Sequence, residues 1–171
     1  MITKNRISRA VTAVALSALA TTACTTTVTG TASPGPTTAP TSSDVFAGLN
    51  ACQLLDQVNA GQGFNPGENK SARNQCVALK SGFASYALAL DSVQGLSEFA
   101  STNSGVVETS INGRSAMQAN TSTSGCAVAI GVGEHARALV VVTMVRFEDN
   151  AQACPNARAL AEKVEPLLPT G

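Results

Sequence analysis

The side chains able to do chemistry in this chain are few. Its one histidine, His135, sits in Gly133-Glu134-His135-Ala136. Any Ser–His or His–carboxylate mechanism must run through it, so a small hydrolase would use His135 as general base. No Gly-x-Ser-x-Gly elbow surrounds a serine, and Ser110, Ser115 and Ser122 read as polar residues of strands or loops. Glu148-Asp149 is an acid pair able to take a cation, but carboxylates before a helix are more simply explained by solvation and the helix dipole. Glu162 and Glu165 stand one helical turn apart on a polar face, and Arg114 and Arg146 offer charge to an anion. Surface ion pairs are the plainer account of both arginines. Gly61, Gly63 and Gly67 precede a strand, whereas a phosphate-cradling loop opens a helix. Five cysteines remain: Cys24, Cys52, Cys76, Cys126 and Cys154. They contain no Cys-x-x-Cys, and His135 has no partner histidine, which argues against a zinc site. The expectation is no catalytic residue, no metal and no cofactor, with His135 as the alternative.

The cysteines take their meaning from the start of the chain. Lys4, Arg6 and Arg9 precede an uncharged run from Ala10 to Ala23. A positive head, an apolar stretch of about 7–15 residues and a small-residue exit mark a secretory signal. The stretch from Val11 to Ala20 is too short for a membrane span, which takes about 20 apolar residues. Arg6 and Arg9 are not adjacent, which favours general secretion over a twin-arginine route. Ala18-Leu19-Ala20 suits ordinary cleavage after Ala20. Thr21-Thr22-Ala23-Cys24 resembles the bacterial lipoprotein box, with Thr21 where leucine is usual. In that box cleavage precedes the cysteine and its sulfur carries a diacylglycerol. Exported cysteines pair under oxidising conditions; four fall in the folded part, and a thioether on Cys24 removes the odd thiol. We therefore read residues 1–23 as a lipoprotein signal peptide and Cys24 as the lipidation site. Two acyl chains suffice for stable anchoring, which puts the chain on the extracytoplasmic face of the cell membrane.

From Thr25 to Ser43 there are eight threonines, three serines, three prolines and no charge. Such a segment cannot bury enough apolar area to offset ordering, so residues 24–44 read as a lipidated cysteine followed by a disordered tether. Residues 45–171 are enough for one domain with a real core. Once Lys4, Arg6 and Arg9 leave with the signal, eight basic residues face eleven acidic ones. No basic patch is left to track a phosphate backbone, and with five Phe, one Tyr and no Trp stacking on bases is also disfavoured, so nucleic acid is not an expected partner. The Ala-, Val-, Gly- and Thr-rich composition suits a GC-rich actinobacterial genome.

Within the domain, Phe46, Leu49, Leu54, Leu55 and Val58 recur at helical spacing from about Asp44, and Asn50 with Gln53 resembles a capping box. Strands are expected over 73–80 and 83–90, joined by Ser81-Gly82. In the second, Ala84, Tyr86, Leu88 and Leu90 share a face at period two. Asp91 or Ser92 then caps a short helix lined by Val93, Leu96, Phe99 and Ala100. Asn112-Gly113 is the strongest short hairpin signal, flanked by strands over 106–111 and 115–121. Strands over 126–132 and 137–147 follow; Val140-Val141-Val142 predicts a central strand covered on both faces. A final helix has Pro155 in its first turn, buries Ala157, Leu160, Ala161 and Val164, and turns Arg158, Glu162, Lys163 and Glu165 to water. The fold expected is α+β: a mainly antiparallel sheet of about six strands with helices packed on it.

Four features then recur together: Cys52-Gln-Leu-Leu55, an isolated Cys76, Asn112-Gly-Arg-Ser-Ala116 leading to Cys126-Ala-Val-Ala-Ile130, and Cys154-Pro-Asn-Ala157 entering a helix that ends Leu167-Leu-Pro169. Over about residues 45–170 this resembles an actinobacterial family of exported lipoproteins grouped under a domain of unknown function. Ala51 and Ala78 stand where that family usually has proline and tryptophan. The resemblance implies a cell-envelope lipoprotein and brings no catalytic residues. Of three possible connectivities, Cys52–Cys76 with Cys126–Cys154 is preferred, each bond tying a helix start to a strand close in the chain. The function expected is a non-catalytic binding or accessory module, membrane-bound through its anchor and meeting an envelope protein or an apolar envelope ligand. The alternatives are the His135 hydrolase and a structural surface lipoprotein.

Overall fold

The computed structural model describes residues 44–170; the expected signal peptide, Cys24 and the expected tether up to residue 43 lie outside the described residues. The first helix, α1, spans Ala51–Asn59. Asn50 opens it by accepting the Cys52 and Gln53 N–H groups at 2.9 and 3.1 Å, which satisfies two of the donors a helix start leaves unpaired. The apolar residues before it are not helical. Asp44 Oδ1 accepts the Phe46 N–H at 3.0 Å, and the turn closes through Gly48 at φ +82°, so Phe46 reaches the core from a turn.

Strands β1 (Gln75–Lys80) and β2 (Ala84–Asp91) form the first hairpin, and helix α2 (Leu96–Thr102) follows. Next come β3 (Val107–Ile111), β4 (Arg114–Asn120), β5 (Cys126–Gly133) and β6 (Ala136–Met144). A 3-10 turn (Phe147–Gln152) leads into α3 (Ala153–Val164). The six strands make one antiparallel sheet in the order β1-β2-β6-β5-β4-β3. The class is α+β. At the Asn112-Gly113 turn both residues take positive φ, 49° and 89°, as a two-residue hairpin loop requires.

The inner face of the sheet carries Cys76, Leu88, Val128, Ile130, Val140 and Val142. It packs under Leu54 and Leu55 of α1 and Ala157, Leu160 and Val164 of α3. Cys52–Cys76 fastens the start of α1 to β1, and Cys126–Cys154 fastens β5 to the first turn of α3, the pairing preferred above. On the outer face α2 lies against β4 and β5, its Phe99 ring seated on Ala119, Ala127 and Ala129. Among the described residues no helix lies over the outer face of β1, β2 and the adjoining side of β6, so Val140 and Val142, which face inward, are buried while Val141 is only half-buried.

Two later boundaries also differ from expectation. β6 ends at Met144, and Phe147, 84% exposed, begins the 3-10 turn instead of closing a strand. α2 starts after Gly95 and not at Asp91 or Ser92, because Glu98 reaches back to accept the Gly95 N–H at 2.7 Å. Gly95 in turn lies so close to the β5–β6 turn that a Cβ there would stand 2.2 Å from the Glu134 carbonyl oxygen. Val93, expected on the helix's buried side, is 71% exposed.

Candidate functional site

The open half of the outer sheet face ends in a cleft, and Arg137 explains why it is there. Arg137 faces outward near the start of β6, opposite Asp91 of β2. An uncovered arginine there would be solvated, but residues 92–95 fold across it and bury it. Its Nη1 donates to the Gly95 carbonyl at 3.1 Å and its Nη2 to Gln94 Oε1 at 2.8 Å. Asp91 Oδ2 stands 3.9 Å away, and the guanidinium carbon lies 5.6 Å from the Phe99 ring centre. Burying a guanidinium costs several kcal/mol unless its donors are met, so these contacts hold the 92–95 segment down as a ridge across the sheet. The Arg137 Nε is buried without an acceptor among the described residues.

Between that ridge and the start of β1 lies an open cleft of about 410 Å³. Its floor includes the cross-strand row Gln75, Ala89, Leu139, where the small central side chain leaves the depression. Its far wall is Asp44, Arg73 and Asn74. Asn74 is fixed to α1 on both sides of its amide: Oδ1 accepts the Ala51 N–H and Nδ2 donates to the Leu49 carbonyl, each at 2.9 Å. The Arg73 backbone is held by Ser71 Oγ, by Asn69 Nδ2 and by the Gln75 N–H, at 3.1, 2.8 and 2.9 Å. Its exposed guanidinium has no carboxylate within 4.0 Å among the described residues. A firmly held backbone thus presents an unpaired cation to the cleft.

The residues singled out by sequence are scattered elsewhere. His135 lies on the β5–β6 turn with 65% of its side chain exposed; Nδ1 is 3.3 Å from Glu98 Oε1 and Nε2 is 3.8 Å from Glu134 Oε1. Those carboxylates are the ring's polar contacts among the described residues, and no Ser, Thr or Cys joins them. The Glu98 carboxyl is held down at about 2 by its own backbone N–H, then by the Gly95 N–H and the Ser97 hydroxyl, with His135 a lesser contributor. Arg146 pairs locally with Asp149 at 2.9 Å and, more distantly, with Glu148 at 4.0 Å, so one acid of this pair is met within its own turn.

Glu162 and Glu165 do not act together. Glu162 pairs with Arg158, whereas Glu165 is drawn inward by Arg114 at 2.9 Å; its turn to water is corrected on that account. Arg114 also donates to the Pro169 carbonyl at 2.9 Å, and Asn112 Nδ2 to the Glu162 carbonyl at 2.9 Å. The Asn-Gly hairpin is thereby clipped to the C-terminal turn, and Arg114 is a part-buried clasp, not a surface ion pair. Ser110, Ser115 and Ser122 are exposed. Among the described residues no group of three His, Cys, Asp or Glu is placed to hold a metal. Cys24, the lipidation candidate, lies outside them.

No family model matches the chain, and neither a curated protein nor a solved structure matches it.

None of the cleft residues stood out in the sequence. Arg73 and Arg137 are ordinary strand-flanking arginines until the 92–95 segment is seen to bury one and leave the other free. The one available signal was Ala87 and Ala89 on the outward parity of β2, small residues where a covered or solvated face ordinarily carries larger ones. Chemically the cleft offers the Arg73 guanidinium, three amides (Asn74, Gln75 and Gln94), one hydroxyl (Ser92), the carboxylates of Asp44 and Asp91 and a partly aliphatic floor. That set suits binding.

Proposed function

We propose that this chain is an exported lipoprotein of the cell envelope, anchored through Cys24, whose folded domain is a non-catalytic binding or accessory module. The resemblance to the actinobacterial lipoprotein family belongs to this reading, as does placement on the extracytoplasmic face of the membrane. The observation that carries it is the cleft, a concave site of about 410 Å³, within the range of small-molecule sites. Two disulfides supply a framework that suits an oxidising compartment. The hydrolase reading draws no support from His135, whose exposed ring meets two carboxylates and no nucleophile among the described residues.

Intact-mass analysis of the protein recovered from its membrane fraction, before and after reduction, tests the reading. The expected product begins at Cys24, carries a diacylglycerol thioether, and gains the mass of four hydrogen atoms on reduction of its two disulfides. A soluble product beginning at Thr21 with a reactive thiol overturns it.

A further inference from the structure

The cleft and the bare part of the outer sheet face are continuous. Beyond the floor row Gln75–Ala89–Leu139, the next rows on the same face are Val77–Ala87–Val141 and Leu79–Ser85–Thr143. Val77 and Leu79 keep 37% and 50% of their surface exposed, although burial of such side chains is favourable. From Gln75 to Leu79 the strand runs about 14 Å. One end of this groove is floored by Val77 and Leu79 and rimmed by Asn65, Pro66 and the Glu68–Lys70 ion pair, and the other ends at two guanidinium groups.

The charges of the cleft are unequal in availability. Asp91 Oδ1 accepts the Val93 N–H at 3.1 Å and its other oxygen faces Arg137. Asp44 Oδ1 accepts the Phe46 N–H. Arg137 spends both Nη groups on Gly95 and Gln94. Of these four side chains, that of Arg73 alone meets no polar partner, backbone or side chain, among the described residues. One free planar fork matches one carboxylate, bidentately, and a cleft that also holds two acids disfavours a doubly charged head. At about 410 Å³ the space lies at the low end for small-molecule sites, which suits one chain and not two.

Resting on the reading of this domain as a binding module, we infer that the outer sheet face binds a single-chain, long-chain carboxylate. Its head pairs with Arg73, and its tail lies over Ala89 and Ala87 toward Val77 and Leu79. Arg137 is a positioning residue that holds the 92–95 wall.

The test uses the full chain carrying Cys24→Ser, so that no anchor lipid competes, with monomeric oleate as the probe in equilibrium dialysis. Oleate is expected to bind saturably at one site. Arg73→Gln is expected to weaken it about tenfold or more, the worth of one hydrogen bond to a charged group, with an unchanged melting temperature. Octanoate is expected to bind at least about a hundredfold more weakly, from the lost methylene burial. Ala87→Phe, placed across the groove, is expected to abolish binding. The inference is overturned if oleate does not bind, if Arg73→Gln binds as the parent does, or if oleyl alcohol binds as tightly as oleate. Failure here with the Cys24 thioether present in the mass analysis removes the ligand class and leaves the proposed function standing.

Discussion

Opening the Cys126–Cys154 bond is the perturbation whose effect on this fold can be worked out most directly. The bond spans 28 residues of chain and joins β5, one of the two central strands of the sheet, to the helix that supplies Ala157, Leu160 and Val164 to the core. In the chain-entropy account a loop of that length removes roughly 12 cal/mol/K from the unfolded ensemble, or about 3.6 kcal/mol at 25 °C. Cys126 is fully buried, so Cys126→Ala with Cys154→Ala also empties the space of one sulfur, for about 1 kcal/mol more. The expected loss is about 4–5 kcal/mol, against about 5–15 kcal/mol for a whole domain. The Cys52–Cys76 bond spans 24 residues, and the two loops do not overlap. Full reduction therefore removes about 7 kcal/mol and leaves little or no cooperative unfolding at growth temperature.

Urea denaturation followed by far-ultraviolet circular dichroism measures this on the oxidised chain, the double-alanine variant and the reduced chain, each fitted with its own slope. A double-alanine variant within about 1 kcal/mol of the parent would refute the reasoning. It would mean that the unfolded chain is already restricted near this loop, and the bonds would no longer argue for an oxidising compartment.

Three further outcomes follow from the packing. Gly95→Ala forces a methyl group against the Glu134 carbonyl and is expected to cost about 1–3 kcal/mol; an unchanged melting temperature would show that the ridge does not press on the β5–β6 turn. Arg114→Gln breaks the clasp on Glu165 and Pro169 at about 1–3 kcal/mol and speeds amide exchange over residues 165–170, whereas Arg146→Gln, at an exposed pair, costs under about 1 kcal/mol. Glu98 has its carboxyl lowered from 4.5 to about 2 in the folded chain, so it contributes stability above pH 4.5 that is lost as pH falls toward 2. Glu98→Gln should flatten that part of the melting-temperature profile, and a profile superimposable on the parent's would contradict the assignment.

Local chemistry made much of the fold legible. Asn112-Gly113 specifies its hairpin because both residues tolerate positive φ. Alternation from Ala84 to Leu90 fixes which side of β2 is buried, since a one-residue slip would turn Leu88 to water. What the sequence hid depends on partners far along the chain. Gly95 opens α2 because Glu98 accepts its N–H and the Glu134 backbone leaves no room there for a side chain, and Asp91 instead holds its own turn. Glu165 leaves the polar face because Arg114, 51 residues away, is waiting for it. Arg137 becomes a buried wall only when a carbonyl 42 residues earlier is laid over it. Propensity and periodicity carry no term for such contacts, and the cleft is made from them.

The distribution of small and large side chains over the two faces gives the domain its sidedness. Both disulfides and both longer helices serve the inner face, so the outer face can vary without loosening the core. On its β4–β5 half, Ala119, Ala127 and Ala129 are small because Phe99 must approach the sheet. On its β1–β2 half, Ala87 and Ala89 are equally small, yet no aromatic ring among the described residues descends on them. Filling that half with larger aliphatic residues would bury more surface at about 25 cal/mol per Å². A sheet built for stability alone would gain from doing so, and the space left open is bordered by the unpaired guanidinium of Arg73. Room beside an available charge, on the face that the cross-links leave free, is what a binding surface needs and a purely structural one does not.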